Sequence, residues 1–349
     1  MWQWIRQLWA PKPAEPPARG SRPRRRAQGV PGAGGKAEPT SDIVIPDAEQ
    51  VSLLFYQRLM NAPEHPPGHL DALSPAETQW LNARAEDLKR TPTQLTQLVP
   101  RLPSVLPKLM TALNNPDTPI RTLTGLIESD PVISSMVLRL INSPAMRVRR
   151  ENIESLDQAV MLLGFSGMRE VVSAAMFSPI GHLGRIEGAN PLLVHDIWPI
   201  SLRAANALRM GLKKKSSHPR PPLSSNEAFD LYLSVLIEHT GLIALLRQQP
   251  LTGPDTSAAY LAGLRALVPA YSARIAEAWE LSENTIRLIR SAPGPLDHLR
   301  SEARYFSMAC TFNRRGEIDQ ALFLHLWRNL PDYASGWYDL CVPAHGSQD

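Results

Sequence analysis

Ile127-Glu128-Ser129-Asp130-Pro131-Val132-Ile133-Ser134-Ser135-Met136-Val137-Leu138-Arg139-Leu140-Ile141-Asn142-Ser143-Pro144 is the stretch from which the fold is read. Asp130 precedes a proline that tolerates the first position of a helix, and its carboxylate can accept the orphan backbone N–H groups of the first turn. Val132, Met136, Leu138 and Leu140 then supply a broad apolar stripe. Asn142-Ser143-Pro144 stops the helix, because a proline cannot continue it. This unit is a capped, amphipathic helix of about three turns, and it recurs in variation on both sides.

Working outward, the same signals predict helices over 48–61, 75–90, 104–114, 119–128, 156–163, 166–176, 191–212, 226–247, 257–267, 269–279, 283–291, 296–312 and 317–328, besides 131–142. Caps or first-turn prolines are expected at Ser74-Pro75, Thr118-Pro119, Ser155 and Ser282. Gly164, after Leu162-Leu163, reads as a left-handed helix stop. No alternating β-branched run demands a sheet, so the class is all-α. The organisation read from composition is a tail over 1–46, a helical extension over 47–98, a helical bundle over 99–180 and a second helical half over 190–338.

Charge is unevenly placed. The chain carries a formal +4, but residues 1–36 hold eight basic side chains against one acid, Glu15, so +7 sits in the tail and the remainder is −3. A basic nucleic-acid-reading face is not indicated for the folded part, and no specific nucleic-acid partner is expected. The segment 11–46, rich in Pro, Gly, Ala and Arg, is expected to be disordered. Ahead of it Trp2, Trp4 and Trp9 lie on or near one helical stripe, and with Arg24, Arg25 and Arg26 they form a candidate contact for an anionic inner-leaflet membrane. No apolar stretch approaches the ~20 residues that span a bilayer. Cys310 and Cys341 are far apart in sequence and lack metal-ligand spacing, so a disulfide scaffold is not expected and a cytoplasmic setting is the default. A basic, proline-rich connector, 213–225, offers Lys213, Lys214, Lys215 and Arg220 as a candidate anion contact.

Three motifs in order then carry a resemblance. Leu102-Pro103-Ser104-Val105-Leu106-Pro107 opens a helix, the Ser129–Ser143 helix follows, and Ser155-Leu156-Asp157-Gln158-Ala159-Val160-Met161-Leu162-Leu163-Gly164 closes the series. Together they resemble the HDOD (HD-related output) domain, a degenerate relative of the HD and HD-GYP phosphohydrolases. The resemblance extends more weakly through Trp198 to Trp279 and covers about residues 99–292. Its structural hallmarks fall here on Pro103, Asp130, Pro131, Asn142, Ser143, Gly164, Trp198 and Trp279.

The resemblance implies a test for metal chemistry. HD enzymes converge histidines and aspartates on divalent metals that activate water and clamp a phosphate oxygen. The first such histidine aligns with Ile200, which cannot ligate, and the His-Asp pair aligns with Glu238-His239. Arg290-Ser291-Ala292-Pro293 stands where relatives carry further histidines. Glu238, His239 and Asp230 remain as vestigial ligand candidates, with His239 also readable as a hydrogen-bonded interior histidine. The literal pair His195-Asp196 reads as a decoy, Asp196 being a cap or first-turn acid. The expectation is a signalling module with no catalytic residue, cofactor or metal, acting through a protein partner or small ligand at the junction of its two halves. The alternatives are a divergent metal-dependent phosphohydrolase and a peripheral membrane adaptor.

Overall fold

The computed structural model describes residues 47–65, 71–89, 91–98, 105–115, 117–143, 152–178, 184–214, 221–290 and 296–341. Among them there are helices and turns and no β-strand. The order is α1 (Ala48–Leu59), α2 (Pro75–Asp87), α3 (Pro92–Leu95), α4 (Leu106–Asn114), α5 (Ile120–Glu128), α6 (Pro131–Ile141), α7 (Leu156–Phe177), α8 (Pro191–Lys213), α9 (Ser225–Leu236), α10 (Thr240–Leu246), α11 (Ala258–Ala278), α12 (Glu283–Ile289), α13 (Asp297–Arg314) and α14 (Gln320–Arg328), followed by 3-10 turns at Asp332–Ala334 and Trp337–Leu340.

Local chemistry starts these helices where the sequence placed them. Asp130 Oδ1 accepts from the N–H groups of Val132 (2.9 Å) and Ile133 (3.2 Å). Ser74 and Glu77 form a reciprocal capping box on α2, and Ser155 and Ser282 cap α7 and α12. The cap expected from Thr118 is absent, since Pro119 takes the N-cap position of α5 with no side-chain bond. Asn142 does more than end α6: its amide donates to the carbonyls of Leu138 and Ile153 and accepts from the Ile153 N–H, stitching α6 to the approach to α7. Ser143 Oγ bonds the Leu140 carbonyl.

The buried face of α6 is offset from the expected stripe. Ile133, Val137 and Ile141 are buried, whereas Val132 is 64% exposed and Met136, Leu138 and Leu140 are half-buried. Residues four apart stack on one face of a helix, and 133, 137 and 141 form that row against α7. Gly164 has φ +61° and ψ −174°, an extended glycine conformation rather than the expected helical left-handed one. It breaks α7 where a stop was expected.

Two differences from the expected helices bear on function. The helix expected over 226–247 is interrupted at Ile237-Glu238-His239, giving α9 and α10. Ser272 Oγ of α11 donates to the Glu238 carbonyl (2.6 Å) and accepts from the Gly241 N–H (2.8 Å), inserting itself into the ladder. Gly241 permits this approach, since a Cβ there would lie 2.3 Å from the Val268 carbonyl oxygen. Conversely, the break expected between 267 and 269 is absent, and Pro269 sits inside α11. Packing of α11 against α1, α2, α3, α10 and α12 holds it continuous despite the missing backbone donor.

α8 and α13 pack along each other at the centre, and α1 lies against α13, α11 and α8. Buried side chains from α1 through Trp337 belong to one continuous apolar cluster. Leu156–Phe177 and Ser225–Leu246 do reach the length and hydropathy of a bilayer span, which the sequence reading did not anticipate, but 94% of the apolar window of the second is buried in the fold and the first is broken at Gly164. Cys310 and Cys341 are also not apart in space: they form a disulfide with Cα atoms 5.8 Å apart. α14 and the 3-10 turns bring the chain back along α13, where Trp337 packs on Phe306 with ring centroids 5.5 Å apart.

Candidate functional site

Two hollows collect polar side chains. The first is small, about 190 Å³, and holds Glu238 and His239 from the α9–α10 turn, Arg304 and Met308 from α13, Arg265 and Pro269 from α11, and Ser52 and Tyr56 from α1. Glu238 is 8% and His239 7% exposed. Glu238 Oε2 accepts from Arg304 Nε at 2.5 Å. Its Oε1 accepts no hydrogen bond among the described residues and lies 3.8 Å from His239 Nδ1. His239 Nδ1 and Ser201 Oγ share a hydrogen bond of 2.8 Å. Burial holds the imidazole below its ordinary value, against the opposing pull of Glu238. Arg265 makes a two-pronged ion pair with Glu49 of α1 at 2.7 and 2.8 Å.

These residues do not fit a divalent metal. Ile200 is fully buried, and its carbonyl accepts from Ser307 Oγ. Asp230 is not part of this hollow: its carboxylate accepts from Ser282 Oγ (2.6 Å), Asn284 Nδ2 (2.8 Å) and Thr285 Oγ1 (3.0 Å), holding the start of α12. Only Glu238 and His239 of the three candidates are together, and the Nδ1 of His239 is engaged with Ser201. Arg304 and Arg265 line the same hollow, and their positive charge disfavours a divalent cation there. Among the described residues no group of three or more His, Cys, Asp or Glu is placed to hold a metal. Asp196 pairs with Arg315 and does not cap α8; Asn190 does, accepting from the N–H groups of Leu192 and Leu193.

The second hollow, about 400 Å³, lies between the post-kink part of α7, the end of α8 and the start of α9. Arg169 and Glu170 enter from α7, Arg209 and Lys213 from α8, and Ser225 and Phe229 from α9. Arg169 is 1% exposed, lies over the Phe229 ring at 3.9 Å, and donates from Nη1 to Asn226 Oδ1 at 2.9 Å. Its Nε and that of Arg209 have no hydrogen-bond partner among the described residues. Arg209 Nη1 faces Glu170 Oε2 at 3.3 Å. Burial raises the Glu170 carboxyl above its usual range, with Arg209 and Lys213 opposing, and lowers the Arg169 guanidinium.

Of the anion-contact candidates, Lys213 lines this hollow and Lys214 turns away to Ser335 Oγ at 2.6 Å. Lys215 and Arg220 lie outside the described residues, as do Pro103 and the membrane-contact candidates Trp2, Trp4, Trp9, Arg24, Arg25 and Arg26. Trp198 is half-buried against the core, and the Trp279 ring packs on Phe177 with centroids 5.3 Å apart. Sequence reasoning missed Arg304, Arg265, Arg169 and Arg209. Arg169 carried a signal: it stands at a position whose helical neighbours Phe165 and Val172 are apolar, where a charge needs a reason.

The sequence model of the HDOD domain family matches residues 99–295. A Bacillus subtilis (strain 168) relative, the uncharacterized protein YuxH, is 31% identical over 114 residues, which is 33% of this chain and 26% of that protein, so the chain spans about a quarter of the relative's length. In fold, the chain is similar to a Shewanella amazonensis SB2B protein named "Putative phosphohydrolase" (19% identity, TM-score 0.48, 74% of this chain and 98% of that one). It is also similar to an HDOD domain protein with unknown function from Geobacter sulfurreducens (16% identity, TM-score 0.47, 76% of this chain and 87% of that one).

Proposed function

The chain belongs to the HDOD family, whose fold is related to that of the HD phosphohydrolases, and we propose that it is a regulatory module that binds and does not catalyse. The observation that supports this reading most is the ion pair between Arg304 and Glu238. Glu238, at the position where the pair would carry its histidine, is neutralised from within by a guanidinium on α13. Arg304, Met308, Ser52 and Tyr56 all lie outside the family match at 99–295, so the hollow is closed by segments on either side of the matched region. Ile200 adds an apolar side chain where the first histidine would stand.

The mechanism is conformational. Residues 106–177 pack through α7 onto α9, and a ligand or protein partner that touches both α7 and the α8–α9 connection biases their arrangement by its differential affinity. The partner is a protein of a signalling pathway or a small ligand; the Cys310–Cys341 disulfide removes the ground on which a cytoplasmic setting was expected. The test is metal analysis of the purified protein with phosphatase and phosphodiesterase assays in the presence of manganese. No stoichiometric metal and no turnover are expected. About one metal per chain, lost in His239→Ala, together with hydrolysis, would overturn the reading in favour of a divergent phosphohydrolase.

A further inference from the structure

We propose that the hollow between α7, α8 and α9 binds a small molecule that carries a phosphate group joined to an apolar or planar part. The proposal rests on the reading of the chain as a binding module and names the ligand class of its junction. Three cations line the hollow, Arg169, Arg209 and Lys213, against one carboxylate, Glu170. The lining is positive, although Asp230 also acts on Arg169 and offsets part of that charge. A phosphate group, with about −1.5 to −2 at pH 7 and three acceptor oxygens, suits several converging cationic donors better than a single carboxylate does.

The cations are held for contact rather than free in solvent. Arg169 is clamped between Phe229 and Asn226, yet its Nε remains without a partner among the described residues in a side chain that is 1% exposed. A buried guanidinium with an unmet donor is costly unless something accepts from it. Arg209, half-buried, likewise has no partner for its Nε among the described residues and turns Nη1 to Glu170. Planar guanidinium forks suit the paired oxygens of a phosphate better than an ammonium does. Lys213, one helical turn beyond Arg209, stands exposed at the mouth.

The remaining wall is apolar, formed by Leu212, Leu223, Phe229 and Leu296. An inorganic ion would leave that wall facing water, and a volume of about 400 Å³ accommodates more than an ion. The small hollow offers no such excess, because Glu238 and Glu49 already answer its two arginines.

The test uses the full chain with inorganic phosphate, adenosine 5′-monophosphate and adenosine as probes in calorimetric titration. The monophosphate is expected to bind more tightly than inorganic phosphate, and adenosine alone not to bind. Arg209→Gln should weaken binding about 10- to 100-fold, the scale of a hydrogen bond to a charged group. Glu170→Gln should tighten it several-fold by removing the opposing carboxylate. Neither variant removes a buried apolar side chain, so folding is checked by thermal melts and Arg169 is left intact. Absence of binding by both phosphate probes at millimolar concentration, or binding indifferent to Arg209→Gln, would overturn the proposal. Equal affinity for phosphate and the monophosphate would overturn its apolar half. Failure of the two readings is distinguishable: hydrolysis of a bound probe sinks the non-catalytic reading and leaves the site standing, while an inert chain that binds no probe does the reverse.

Discussion

The two hollows are built from the same materials and differ in how their arginines are answered. In the small hollow each guanidinium meets a carboxylate of the chain itself, Arg304 with Glu238 and Arg265 with Glu49, and α1 lies over them with Tyr56. In the larger one, three cations line the wall with one carboxylate, Glu170, and two arginine Nε groups have no acceptor among the described residues. Internal pairing makes Glu238 part of the scaffold. Incomplete pairing among the described residues leaves donors in the larger hollow free to meet a ligand. The place where ancestry suggests chemistry is therefore the closed one, and the open one lies at the α7–α8–α9 junction.

The sharpest way to break this comparison is to remove one member of the closed pair. Arg304→Met leaves Glu238 buried without its counter-charge and should cost about 3 to 5 kcal/mol on urea titration. The double variant Arg304→Met with Glu238→Met should recover most of that loss, because an apolar pair of similar volume replaces a buried ion pair at little net cost. A loss in the double variant as large as in the single would mean that Arg304 packs rather than pairs.

A second, smaller contrast is in pH. Burial holds His239 below 6.5, so the unfolded chain takes up a proton there that the folded one refuses. Stability should fall as pH drops below about 6.5 and through the window down to the folded value, and His239→Gln should lack that part of the loss. Glu170 has the opposite sign. Its folded value is raised above 4.5, so its contribution is present at low pH and lost as pH rises through the raised value. Urea midpoints across pH 5 to 8 check both, and matching profiles for wild type and His239→Gln would remove the histidine from the account.

The smallest expected effect is Glu170→Gln without ligand. It should leave stability within about 1 kcal/mol of wild type at pH 7 or raise it slightly, since the loss of the pair with Arg209 is offset by relief of a poorly solvated carboxylate. A loss of several kcal/mol would show that the larger hollow is as tightly self-paired as the smaller one.

Much of the fold was legible in the sequence. Asp130, Ser74, Ser155 and Ser282 start helices where their hydroxyl and carboxylate groups reach the next N–H groups, an interaction three residues long that needs no tertiary context. The positive-φ break at Gly164 is local in the same sense. What failed was non-local. The split at Glu238-His239 depends on Ser272 from another helix, and the continuity through Pro269 depends on the helices packed around α11. The buried row Ile133, Val137 and Ile141 was displaced from the expected stripe because a helix with apolar residues on several faces does not declare which of them meets α7.

The sites divide in the same way. Residue type alone established that Ile200 cannot ligate, and that Glu238-His239 stand in place of a His-Asp pair, because ligand chemistry is a property of the side chain wherever it lies. Only the tertiary structure could show that Arg304, 66 residues on, neutralises Glu238, that Asp230 serves the start of α12, and that Arg169 meets Arg209 and Lys213 in one hollow. The reason is physical: helix caps and residue chemistry act over a turn of chain, whereas the pairing of charges depends on which helices are brought together and how much water they exclude.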